Sequence, residues 1–264
     1  MKMGFIGVGV MASAMLRAAL DKGFLRPADV LLYDKYPGAM DAFRGMGVAA
    51  AQSAGELARA CDVIQLGVKP QQMPALLDEI QGDIASGALV ISIAAGVPLQ
   101  TIAARAPKAV RTMQNINAAV GESITAYCAT SALAPEELAF VKEYCGCFGR
   151  AIALEESRFS AFLALAGSAP AFVYLFIDEL ARAGVSMGLP KALALEIAAQ
   201  TTLGSAALVR QSDRHPYELV DNVCSPGGTT IAGINKLREL GFAHAVSQAA
   251  LAAYQRDIQL KEER

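Results

Sequence analysis

Short apolar runs alternate with longer helical stripes over the first 155 residues of the chain. Residues 1–6 form a hydrophobic run of strand length, and an Ala/Leu-rich helical stretch follows a pair of glycines and continues to Leu20. Residues 29–34 predict a second strand, 37–46 its helix, and 48–51 a weak third strand. Ser53-Ala54-Gly55-Glu56 has capping-box spacing and opens a short helix. The apolar run 62–68 suits a buried parallel strand, and Pro70 stands where the first turn of a helix tolerates proline. Residues 88–95 and 109–113 supply two more strands. Residues 123–128 and 150–154 read as two added strands, separated by a helix over 135–145. This alternation predicts a doubly wound parallel sheet of the α/β class.

Beyond Leu154 no strand pattern continues, and helices are predicted over 157–186, 190–211, 229–240 and 243–261. There is no low-complexity linker and no internal repeat. The predicted division is therefore 1–155, an α/β domain, and 156–264, an all-helical one. The second is small and very apolar, which predicts helix faces that pack against another chain. Within it the 19 positions from Phe159 to Ile177 carry no charge, long enough to raise the question of a bilayer span. Ser160, Gly167-Ser168 and Pro170 interrupt the run and predict a kink or break in a helix. A helix apolar all round either crosses a membrane or is sealed in a core or interface. With one such segment after a nucleotide-binding pattern, burial is the expectation.

Charge and cysteine content narrow the function classes. Lys and Arg total 23 against 25 Asp and Glu, a net −2, which gives no basic footprint for nucleic acid. The five cysteines are odd in number and scattered, no Cys/His spacing fits a metal site, and no secretory signal precedes the first strand. A reduced cytoplasmic setting is expected.

Three stretches carry candidate chemistry. The first is Gly7-Val8-Gly9-Val10-Met11-Ala12 between strand and helix. Its first glycine permits the turn, its second lets a pyrophosphate approach the backbone, and Ala12 lets helix and strand pack closely. Alone it also fits a tight turn that binds nothing. Asp34, at the end of the second strand, stands about where the fingerprint places an acid for the ribose hydroxyls. Its carboxylate favours NAD(H), whereas the adjacent Lys35 favours NADP(H), and the choice stays open.

The second stretch comprises two further strand ends, Val68-Lys69-Pro70 and Ala94-Ala95-Gly96, because ligands of open α/β sheets lie beyond the carboxyl ends of the strands. Small residues at the latter admit a flat nicotinamide ring; Lys69 fits a solvated loop equally well. The third stretch is Asp221-Asn222-Val223-Cys224-Ser225-Pro226-Gly227-Gly228-Thr229-Thr230. Two glycines and two threonines open a helix whose N–H groups suit a substrate carboxylate, or else an interhelical turn capped by Thr229. His215 and His244 read as surface residues and Cys224 as a small buried one. Hydride transfer to an already protonated C=N bond needs little acid–base help, and the scarcity of acids and bases is compatible with that.

These residues resemble the pyrroline-5-carboxylate reductases over nearly the whole chain. The resemblance rests on residues 4–12, Val68-Lys69-Pro70, Ser92-Ile93-Ala94-Ala95-Gly96 and Arg111-Thr112-Met113-Gln114-Asn115. Residues 165–172, Gly188-Leu189-Pro190 and Gln200-Thr201-Thr202 continue it. Ser225-Pro226-Gly227-Gly228-Thr229-Thr230 is the most specific stretch. The resemblance implies reduction of 1-pyrroline-5-carboxylate to L-proline, the last step of proline biosynthesis, by hydride from NADP(H) or NAD(H). It also implies a homodimer or higher homo-oligomer built through the helical domain, with substrate near a subunit boundary.

Carried over by position, Ile6, Gly7, Val8, Gly9, Val10, Met11, Asp34, Lys35, Val68, Lys69, Pro70, Ala94, Ala95, Gly96 and Asn222 are cofactor contacts. Ser225, Gly227, Gly228, Thr229 and Thr230 cradle the substrate carboxylate, Thr230 also hydrogen-bonds the ring nitrogen, and Glu156 is an acid near the substrate. Gln114, Ala166, Ala169, Phe172 and Arg238 depart from the residues usual in the family, and the first four bear on substrate affinity. A β-hydroxyacid dehydrogenase is a competing reading, but it requires a lysine that residues 155–177 lack. A regulator or imine-binding protein without turnover would keep the glycine loop but need not keep Gly228-Thr229-Thr230.

Overall fold

The first strand, β1 (Met3–Ile6), is buried on both faces, which is why it reads as an unbroken apolar run. The computed structural model describes residues 1–263. Strands β2 (Val30–Tyr33), β3 (Ala49–Ala50), β4 (Val63–Leu66), β5 (Leu89–Ser92), β6 (Ala109–Met113), β7 (Ser123–Ala129) and β8 (Gly149–Ala153) complete one sheet. Its order is β3-β2-β1-β4-β5-β6-β7-β8. The first six strands run parallel; β7 runs antiparallel to β6, and β8 parallel to β7. The order reverses direction at β1, so the ends of β1 and β4 flank the switch point where open sheets bind ligands.

Helices α1 (Val10–Asp21), α2 (Asp41–Arg44), α3 (Ala54–Ala60), α4 (Met73–Ile80), α5 (Leu99–Ala103) and α6 (Pro135–Gly146) cover the two faces. One core holds Met3, Phe5, Met15, Leu16, Tyr144 and Phe148, the other Ile6, Leu57, Ile64, Leu77 and Ile80. Strand alternation sends Phe5 and Ile6 to opposite cores. Gly4 faces Leu57 and Cys61, where a Cβ would collide, so α3 seats directly on β1.

Ser53 caps α3 as the spacing predicts, its Oγ accepting the Glu56 N–H at 3.1 Å. Glu56 returns its carboxylate to the Gln52 N–H at 2.7 Å rather than to that of Ser53. The predicted helix over 37–46 is a 3-10 turn, Pro37–Met40, followed by the single turn α2. The strand predicted over 88–95 stops at Ser92, whose own Oγ accepts the Ala94 N–H at 3.3 Å and turns the chain out of the ladder. Helix α5 carried no sequence signal because it is a single short turn.

The chain forms two compact units, Met1–Gly167 with the segment from Ile258 onward, and Ser168–Asp257. The helix predicted over 157–186 is broken as the Gly/Pro content indicates. It comprises a 3-10 turn at Glu156–Arg158, α7 (Phe159–Phe162), a π-helical stretch at Leu163–Ser168 and α8 (Ala169–Ser186). Pro170 brings no N–H for the Ala166 carbonyl, which instead accepts Asn115 Nδ2 at 3.0 Å. Phe159, Phe162 and Ala166 close a third core with Met113 and Ala126 of the sheet.

Helices α9 (Lys191–Gln211), α10 (Pro216–Val223), α11 (Thr229–Glu239) and α12 (Phe242–Glu262) follow. Helix α10 was missed: its eight residues fall in a stretch dominated by turn and charge signals. Helices α8 and α9 pair through Ala181, Ala194 and Ala198, and a Cβ on Gly184 would lie 3.0 Å from that of Ala194. Two helical stretches, Glu156–Ser186 and Lys191–Gln211, have the length and composition to cross a membrane. Within the single chain they leave Tyr174, Leu175, Leu193, Ile197 and Leu203 exposed rather than sealed in a core.

Candidate active site

The carboxyl ends of β1, β2, β4 and β5 share one edge of the sheet because all four strands are parallel. After Ile6, Gly7 turns with φ +89°, and its N–H donates to the Tyr33 carbonyl at 2.8 Å. Val8 is buried, Met11 packs against the same core, and Val10 is exposed. Gly9 is the N-cap of α1 in extended conformation, φ −70° and ψ 179°, with no capping side chain and no acid in the first turn. No heavy atom lies within 4 Å of where its Cβ would be. Uncapped N–H groups, the positive end of α1 and this open approach fit a pyrophosphate. Ala12 plays the packing part predicted for it: a Cβ on Gly67 would meet the Ala12 Cβ at 3.1 Å.

Asp34 is half-buried at the β2 end. Its Oδ2 accepts the Val8 N–H at 2.7 Å and its Oδ1 the Tyr36 N–H at 2.8 Å. The carboxylate therefore buttresses the glycine loop. Each oxygen retains a lone pair for a hydroxyl donor. Lys35 is exposed. On the adjacent strand ends, Val68 is half-buried, Lys69 exposed, and Pro70 opens a 3-10 turn, Pro70–Gln72. Ala94 is buried and Ala95 exposed, while Gly96 turns with φ +75°.

Glu156 spends Oε1 on two donors, Arg111 Nη1 at 2.6 Å and the Leu99 N–H at 2.7 Å. This cluster had no place in the sequence reading beyond Glu156 itself. The signal for it was an arginine in the middle of the strand-forming run 109–113, since a buried guanidinium demands a partner.

In the other unit, Asn222 lies near the end of α10, exposed. Ser225 and Pro226 are exposed, Gly227 turns with φ +68°, and the Gly228 N–H donates to the Ser225 carbonyl at 3.0 Å. Gly228 is the N-cap of α11; neither Thr229 nor any other side chain caps it. The alternative of a Thr229-capped turn thus does not hold, and the first-turn N–H groups are left facing outward. Thr229 is exposed and Thr230 half-buried. An uncapped, acid-free helix start suits a carboxylate.

His215 caps α10, its Nδ1 accepting the Tyr217 N–H at 3.2 Å, and His244 is exposed on α12. Cys224 is half-buried. Among the described residues no His/Cys/Asp/Glu group is arranged to hold a metal.

Residues 156–260 match the family described as pyrroline-5-carboxylate reductase dimerisation, and residues 2–96 match NADP oxidoreductase, coenzyme F420-dependent. The pyrroline-5-carboxylate reductase of Escherichia coli (strain K12) is 37% identical, with 99% of this chain and 98% of that protein covered. The solved pyrroline-5-carboxylate reductase of Coxiella burnetii superposes with a TM-score of 0.92 at 28% identity, covering 98% of both chains. The Plasmodium falciparum pyrroline carboxylate reductase with NADP bound superposes with a TM-score of 0.86 at 30% identity, over 97% of this chain and 96% of that one. An uncapped glycine loop on a doubly wound sheet, a Gly-Gly-Thr-Thr helix start and identity of this extent agree: the chain belongs to the pyrroline-5-carboxylate reductase family.

Proposed function

We propose that the protein reduces the C=N bond of 1-pyrroline-5-carboxylate to give L-proline, the last step of proline biosynthesis, in the cytoplasm. Kinship to the E. coli enzyme over 99% of the chain is the observation that carries this reading. NAD(P)H, when bound, supplies the hydride. That hydride would go to the imine carbon, with the C=N electron pair taken up by the ring nitrogen that already carries its proton.

The chain's own groups orient and exclude rather than react. Ile6, Gly7, Val8, Gly9, Val10 and Met11 line the pyrophosphate, with the N–H groups of α1 as donors. Asp34 and Lys35 meet the adenosine ribose. Val68, Lys69, Pro70, Ala94, Ala95, Gly96 and Asn222 serve the nicotinamide end. Ser225, Gly227, Gly228 and Thr229 hold the substrate carboxylate on the uncapped start of α11. Thr230 Oγ1 accepts a hydrogen bond from the protonated ring nitrogen.

Residues 1–155 are assigned to the cofactor and 156–264 to substrate and self-association. The exposed apolar faces of α8 and α9 are covered by a second copy of the chain, as the dimerisation match supports. Oxidation of NADH and of NADPH, followed in parallel with pyrroline-5-carboxylate, tests the activity, and absence of turnover with both would overturn it. A monomeric mass by light scattering at micromolar concentration would remove the second copy.

A further inference from the structure

Arg111 lies in the middle of β6 with 3% of its surface exposed, where an uncompensated charge would be strongly unfavourable. Its guanidinium is 4.6 Å from the centroid of the Phe159 ring, and its Nε and Nη2 have no hydrogen-bond partner. Charge compensation falls to Glu156, whose Oε1 receives Nη1 at 2.6 Å. That same oxygen accepts the Leu99 N–H at 2.7 Å.

Leu99 is the first residue of α5, so residues 94–98 lie in the connection from β5, which spans 93–98. Ala94, Ala95 and Gly96 have no long side chains to fix the path of this loop. Its start is tied by the Ala94 N–H to Ser92 Oγ at 3.3 Å, and its end by the Leu99 N–H to Glu156. A carboxylate oxygen shared by a buried guanidinium and a backbone N–H makes two charge-assisted bonds in fixed directions. Glu156 is also where the match to the dimerisation family begins. The first residue of that segment therefore anchors the loop assigned to the nicotinamide.

We infer that Glu156 is a positioning residue for the 94–98 loop and so for the cofactor's nicotinamide end, held in place by Arg111. The inference rests on the assignment of Ala94, Ala95 and Gly96 to the cofactor.

The test uses the full-length chain and four variants, read by fluorescence titration of NADH and NADPH and by steady-state kinetics. Glu156→Ala raises the Kd and KM of the cofactor about tenfold, the equivalent of one charge-assisted hydrogen bond, and leaves the KM of pyrroline-5-carboxylate at saturating cofactor nearly unchanged. Glu156→Gln keeps an acceptor for both donors but removes the charge facing Arg111, and recovers part of the cofactor affinity that Glu156→Ala loses. Leu99→Pro deletes the N–H of the bond and leaves the Arg111–Glu156 pair in place; with Leu99→Ala as the control for the lost side-chain packing, it decides the matter if Glu156→Ala does not fold. Proline fits there, because Pro98 already has φ −64° and ψ 148° and the first helical position needs no N–H.

Unchanged cofactor constants in Leu99→Pro would overturn the proposal. So would a raised KM for pyrroline-5-carboxylate alone in Glu156→Ala, or a Glu156→Gln variant as weak as Glu156→Ala. A parent protein that binds cofactor without turning over pyrroline-5-carboxylate would remove the proposed activity instead, and the titrations would still decide the role of Glu156.

Discussion

Gly7 and Gly67 approach so closely that neither has room for a side chain: a Cβ on Gly7 would lie 2.8 Å from the Gly67 carbonyl carbon, and one on Gly67 2.5 Å from the Gly7 oxygen. Gly9, two residues on, has nothing near it. The two motif glycines therefore exist for different reasons, one for the fold and one for a ligand.

Alanine substitutions separate those reasons. Gly7→Ala combines the collision with a φ of +89° and lowers stability by about 1–3 kcal/mol, seen as an earlier urea midpoint. Gly9→Ala keeps an ordinary extended backbone, so its midpoint matches the parent while its NAD(P)H affinity falls about tenfold or more from steric exclusion of the pyrophosphate. A Gly9→Ala protein that binds cofactor normally would take the pyrophosphate away from this loop.

Asp34 sets a second contrast. Its carboxylate is fixed by the N–H groups of Val8 and Tyr36 and, assigned as proposed to the ribose, would repel a 2′-phosphate. Asp34→Ser shifts the kcat/KM ratio toward NADPH by about tenfold, on the order of one screened charge–charge interaction. It also lowers the melting temperature, because two charge-assisted bonds to the loop are lost. Discrimination unchanged or moved toward NADH would assign the preference to Lys35 or the backbone.

Most of the sheet was legible because buried parallel strands are written as apolar runs, and β6 matches its predicted residues 109–113. Strand ends were less so. The end of β5 depends on the Ser92 hydroxyl replacing a ladder partner, a tertiary choice that periodicity does not encode. The break before α8 was foreseen from Gly167 and Pro170, but its π-helical form depends on the Ala166 carbonyl finding Asn115, 51 positions away in sequence. At the site, glycines and strand ends carried a local signal, whereas the Arg111–Glu156–Leu99 cluster joins three distant segments, of which only Glu156 stood out, and that through resemblance rather than pattern. The double duty of Asp34 was hidden for the same reason: its second partner, Val8, is a backbone N–H.

The buried thiols give an alkaline signature. Burial pushes the Cys145 thiol up from 9.0 to about 12, and Cys61, Cys128 and Cys147 to about 11. Between pH 9 and these values the unfolded chain releases protons that the folded chain keeps, so stability is intact below pH 9 and falls as pH rises through that window. Cys145 alone accounts for about 2 kcal/mol of the loss at about pH 10.5. Urea midpoints at pH 8 and pH 10.5 should therefore differ less in Cys145→Ala than in the parent, whatever the cavity costs at both pH values. An equal drop in the two proteins would show that Cys145 does not contribute.

Thr230 provides the sharpest test of the substrate end. It sits in the first turn of α11, half-buried, and the cap of that helix is Gly228 rather than a threonine hydroxyl. Removing the hydroxyl therefore has no capping bond to break, and Thr230→Ala should keep the parent's melting temperature. With the ring nitrogen as its partner, loss of the hydroxyl removes a bond to a charged group, which lowers kcat/KM for pyrroline-5-carboxylate about tenfold or more. Thr230→Ser restores much of the rate because Oγ returns, while Thr230→Val, nearly the same shape, does not. Cofactor Kd stays the same in all three, since Thr230 is assigned to the substrate and not to the cofactor. Unchanged kcat/KM in Thr230→Ala and Thr230→Val would remove the hydroxyl from the chemistry and leave the α11 N–H groups to hold the substrate alone.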